Sequence, residues 1–108
     1  MQRSKAETYL GFCLRAGKLT LGVNAVETVK KGVYLLIADE SVAKNSKKEI
    51  LKFKEKFSCP LLFTAGLEDL VHKANCKLAA VRDKSLADAI YGEVGNGQLT
   101  EYIGGFDR

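Results

Sequence analysis

A chain of 108 residues suits one compact domain, and an apolar content of 46% is enough for a real core and too high for a disordered segment. The net charge of +4 is unevenly spread: residues 1–58 carry 12 Lys+Arg against 6 Asp+Glu, whereas 59–108 carry 5 against 7. No apolar run reaches membrane-spanning length and MQRSKAETYL lacks a signal-peptide core, so a cytoplasmic protein with no membrane role is expected.

Ala6, Tyr9, Leu10, Cys13 and Leu14 recur at helical spacing and predict an amphipathic helix over 4–16, stopped by Gly17. Leu19 to Leu21 reads as a short strand. Gly22 then turns the chain into a second helix running to about Gly32. Asn24 is the expected N-cap of this helix, with Glu27 as its capping-box partner. Asn24 has a second reading, since its amide offers both a donor and an acceptor to a base edge. VYLLIA (33–38) is a continuous apolar run, expected as a strand buried on both faces. A polar connection follows. Ser46 and Glu49 form a second capping-box pattern before a helix with Ile50, Phe53 and Phe57 on one face and lysines on the other.

Pro60 interrupts, and Leu61 to Thr64 reads as a strand. A short helix is expected over 67–74, a strand over 78–81, and a last helix over 85–90 capped by Asp83. The alternation α-β-α-β-α-β-α-β-α argues for a sheet with helices on both faces. Residues 1–91 form the expected domain. Residues 92–108 contain five glycines without a clear period and read as a loosely docked or mobile tail.

No catalytic set can be assembled, and a non-enzymatic protein without cofactor or metal is expected. His72 has no companions at metal-ligand spacing, and Cys13, Cys59 and Cys76 contain no CxxC pair, so they read as reduced, packed thiols. No Walker loop or GxGxxG is present. Asp39 follows a strand as a phospho-accepting aspartate would, yet the first strand ends Leu21-Gly22-Val23 without the acids that hold magnesium. Asp39 therefore reads as a strand-end turn former. The basic half points to a polyanion such as RNA, while a merely solvated lysine face fits the charge equally well.

Several pieces occur together in order: RAGKL (15–19), Gly22 before the second helix, KKG and LLIADES (30–41), Asn45 with Lys47 and Lys48, Pro60, Leu70, and AAVRDKSLADAI (79–90). In this order and spacing the chain resembles the L-seven-Ae/L-thirty-e ribosomal protein superfamily, especially its short bacterial YlxQ-like members. The resemblance implies a three-layer α/β/α sandwich with a four-stranded mixed sheet. It also implies binding of structured RNA such as a kink-turn, or docking on the ribosome; a monomer is expected.

The expected RNA-binding residues are Lys18, Gly22, Val23, Asn24, Ala25, Thr28 and Lys31, with Thr64, Ala65 and Gly66 as a second wall; Lys18 and Lys31 enter as lysines suited to phosphate contacts, and the loop 64–66 by the resemblance. Gly22 and Asn24 match the family's G-x-N-E segment. Ala25 replaces its glutamate, Thr28 stands where a lysine is usual, and Val71 and Asn75 replace the glycines of LGxxxG. A well-placed base contact is worth roughly 1–3 kcal/mol, so these changes lower the expected affinity. The alternative expectation is a protein-interaction module on the same fold that has lost specific RNA recognition.

Overall fold

The computed structural model describes residues 5–94 and 99–103. The elements are α1 (Lys5–Arg15), β1 (Leu19–Leu21), α2 (Val23–Glu27), β2 (Leu35–Asp39), α3 (Lys44–Phe57), β3 (Leu61–Thr64), α4 (Leu67–Val71), β4 (Leu78–Val81), α5 (Lys84–Tyr91) and β5 (Thr100–Glu101). The strands form one mixed sheet in the order β1-β4-β2-β3-β5. β2 and β3 are parallel, whereas β4 runs antiparallel to both β1 and β2, and β5 antiparallel to β3. The ends of β1, β2 and β3 and the start of β4 therefore share one end of the sheet.

Strand alternation divides the core. Leu35, Ile37, Leu62, Ala79 and Val81 meet Leu10, Cys13, Leu67, Leu70, Ala87 and Ile90 from α1, α4 and α5. Leu36, Ala38, Leu61, Leu78 and Ala80 meet Val26, Ile50 and Phe53 from α2 and α3. Helices thus cover both faces, which is why every residue of β2 is buried. α1 ends as expected at Gly17, whose φ of +72° suits glycine. The Gly17 and Lys18 N–H groups donate to Leu14 and Cys13 carbonyls at 3.1 and 2.9 Å, a Schellman closure. Asp83 caps α5 by accepting the Leu86 N–H at 2.8 Å.

Four expectations need correction. The sheet has five strands rather than four. The fifth comes from the stretch expected as a loosely docked or mobile tail, whose described part is docked: Leu99 is buried, Tyr102 donates its N–H to Leu61 and its ring meets Phe63 edge-on. The remainder of the 92–108 segment, at 95–98 and 104–108, lies outside the described residues. α2 ends at Glu27 rather than near Gly32, because the Thr28 hydroxyl donates to the Ala25 carbonyl at 2.7 Å and closes the last turn. Asn24 and Ser46 are not caps: α2 and α3 start from Gly22 and Ala43 without a side-chain cap, so both polar residues lie inside the first turn.

Candidate nucleic-acid interface

Gly22 joins β1 to α2 with φ +98° and ψ 146°, a conformation open to glycine and strained for other residues. Its N–H donates to the Leu78 carbonyl at 2.8 Å, and its own carbonyl accepts the Val26 N–H at 3.0 Å. This glycine therefore ties the start of α2 to the start of β4. Val26 is buried and anchors the short helix, while Asn24 and Ala25 are exposed.

Because β4 is antiparallel to β1, the residues before β4 lie beside the residues after β1. A groove of about 430 Å³ results, with Leu21, Gly22, Val23, Asn24 and Ala25 on one side, Asn75 and Lys77 on the other, and Ser46 from α3. The second side is shaped by a tight turn. His72 and Asn75 adopt positive φ, and the Asn75 N–H donates to Glu68 Oε2 at 2.8 Å.

Lys77 is held by its surroundings. Its Nζ donates to Ser41 Oγ at 2.8 Å and lies 3.9 Å from Asp39 Oδ2. Asp39, buried at the end of β2, accepts the Leu67 N–H at 2.8 Å and the Ser41 N–H at 2.9 Å, and also the Ser41 hydroxyl. Burial pushes its carboxyl up. The hydrogen bonds from Ser41 and Leu67, with the Lys77 ammonium, outweigh that and leave it below the ordinary carboxylate value. Asp39 is thus a strand-end former that fixes the start of α4 and the base of the groove wall.

The groove gathers Gly22, Val23, Asn24 and Ala25 from the expected set, but not the others. Thr64, Ala65 and Gly66 close β3 at the same end of the sheet. β3 lies three strands from β1, roughly 14 Å away at ordinary strand spacing. The buried Thr64 donates its hydroxyl to the Ala65 carbonyl at 3.2 Å. Lys18 opens β1 at the opposite end, where its carbonyl accepts the Arg82 N–H at 2.8 Å. Exposed Lys31 lies in the connection running to that far end, where the Tyr34 N–H meets the Val81 carbonyl. The Thr28 hydroxyl is spent on Ala25. Sequence reasoning missed Ser46, Asn75 and Lys77 as groove residues, since Asn75 and Lys77 are brought there by the pairing of β1 with β4 and Ser46 by the placement of α3.

Among the described residues, no group of acids, histidines and cysteines could hold a metal ion. His72 is exposed and lies 2.8 Å from Glu7. The three cysteines are free and buried, and burial pushes the Cys59 thiol up to about 11, far from thiolate chemistry at neutral pH. No described helix is long and apolar enough to cross a membrane.

No family model and no curated protein matches the chain. Among solved structures it is similar to a Bacillus halodurans protein described as being of unknown function. The two are 22% identical, with a TM-score of 0.69, over 83% of this chain and 96% of that one. At that identity the likeness supports the fold.

Proposed function

We propose that this chain is a non-enzymatic RNA-binding protein of ribosomal-protein type, an α/β/α sandwich that recognises a structured RNA such as a kink-turn, free or within the ribosome. The observation that carries the reading is the groove at the end of β1. Exposed Asn24 stands on one side of it and Asn75 with Lys77 on the other. Two amides and an ammonium offer donors and acceptors to base edges, and one side of the groove, Leu21 to Ala25 with Ser46, comes from the basic half of the sequence. Asn75 and Lys77 take the role of second wall that the resemblance gave to residues 64–66.

The test is a titration of the protein with a kink-turn RNA and with a matched RNA lacking its G·A pairs, at two salt concentrations. Preference for the kink-turn, with affinity falling as salt rises, is expected. Equal, weak binding to both RNAs would refute the kink-turn form of the proposal. A protein-interaction module is the second reading. It is favoured by Ala25, which offers no polar group, and by Thr28, whose hydroxyl is engaged within the helix.

A further inference from the structure

α3 carries six lysines and two glutamates, a balance of +4 that equals the net charge of the whole chain. Four of the lysines, Lys44, Lys48, Lys52 and Lys56, follow one another at intervals of four residues. On an α-helix this makes a row that advances about 6 Å and turns about 40° at each step, about 18 Å in all. The buried side of α3 is centred on Ile50 and Phe53, which places Lys48 directly outward. Lys44, Lys48, Lys52 and Lys56 are all exposed.

The row is weakly countered. Lys52 lies 3.8 Å from Glu49, across a solvent-exposed pair. Lys56 Nζ donates to the Val29 carbonyl at 2.8 Å, which brings the end of the row to the α2–β2 connection beside exposed Lys30 and Lys31. Lys44 and Lys48 make no ion pair among the described residues. Like charges four apart disfavour a helix, so the sequence retains three such repulsions on its longest helix. The helix also begins at the groove, through Ser46.

We infer that the outer face of α3, from Lys44 through Lys48 and Lys52 to Lys56 and onward to Lys30 and Lys31, is a docking surface for the sugar–phosphate backbone of a double-helical RNA stem. The stem continues the RNA whose irregular portion sits in the groove, so the inference rests on the proposed RNA reading. The chemistry is charge complementarity between a linear row of ammonium groups and a regularly spaced row of phosphates, without base readout. The groove sets which RNA is bound. The lysine row adds a salt-sensitive, sequence-independent grip on its flank.

The experiment uses the full chain and two kink-turn RNAs, one with a long flanking helix and one with that helix cut short. The protein is compared with a Lys48→Gln/Lys52→Gln double variant over a range of salt concentrations. Both positions are exposed, so the circular-dichroism spectrum is expected to be unchanged, and relief of the lysine repulsions is expected to leave the melting temperature unchanged or slightly raised. For the long RNA, the double variant is expected to bind more weakly and to show a log-affinity against log-salt slope smaller by about 2. For the short RNA, the difference should shrink. Binding of the long RNA by the wild type with the same affinity and slope in the double variant overturns the inference alone and leaves the groove reading intact. Binding of neither RNA by the wild type overturns the functional reading and the inference with it. Lysine-dependent binding to phosphatidylserine vesicles with no effect of the two substitutions on RNA affinity assigns the row to a membrane surface and overturns the inference.

Discussion

Asp39→Ala is the most informative single change for the framework behind the groove. The carboxylate accepts the N–H of Leu67, a residue with no solvent exposure, and the N–H and hydroxyl of Ser41. Alanine leaves the Leu67 N–H without an acceptor in the core, which costs about 1–3 kcal/mol. Loss of the charge-assisted bonds to Ser41, which can turn partly to water, adds roughly 1 kcal/mol. The expected total is about 3 kcal/mol, or a fall of roughly 12–24 °C in melting temperature for a domain of this size. Urea unfolding followed by circular dichroism measures it, with the midpoint shifting at constant slope. A change below about 0.5 kcal/mol would refute the view that Asp39 holds the start of α4. The same residue sets an acid dependence. Its folded value lies below the ordinary 3.8, so its stabilisation is complete above that value and is lost as pH falls through the lower folded value. Asp39→Asn should flatten the loss of stability in that acid window.

Three further outcomes follow from the geometry. Asn24→Ala should leave the melting temperature unchanged or slightly raised, because Asn24 is exposed and caps nothing, while kink-turn affinity falls by about 1–3 kcal/mol; a marked loss of stability would restore a capping role. Asp83→Ala should lower stability by about 1 kcal/mol through loss of the bond to Leu86, measured by denaturant unfolding; an unchanged midpoint would count against the cap. Cys59 should resist iodoacetamide at neutral pH in the folded protein and react promptly in denaturant, as mass spectrometry reports; rapid native labelling would contradict its burial.

The elements with strong patterning were legible in the sequence. The apolar run ending in Leu35–Ala38, the Ile50–Phe53 face of α3, the Gly17 stop and the Asp83 cap each follow from local chemistry. Helix starts were misread where the backbone does the work of a side chain. Gly22 enters α2 through a positive φ, and Ala43 enters α3 from an extended conformation, so Asn24 and Ser46 fall within the first turn rather than at its start. β5 is two residues long and is held by partners far along the chain, chiefly β3 and Phe63, which no local period encodes. The site was half legible for a similar reason. Gly22–Ala25 is a continuous segment, whereas Asn75 and Lys77 reach it only through strand order.

β4 also has a consequence for the order in which the molecule can be made. It lies between β1 and β2 and pairs with both, at Leu19↔Val81 and Leu35↔Val81. During synthesis the first seventy-odd residues emerge with β1 and the β2–β3 pair lacking the strand that joins them. Gly22 then has no Leu78 carbonyl to hold it, and the far wall of the groove does not yet exist. Completion of residues 78–81 inserts the missing strand between β1 and β2, so the joining of β1 to the rest of the sheet and the groove come into being in the same late event. A nascent chain stalled before that strand carries the basic lysine row but not the groove.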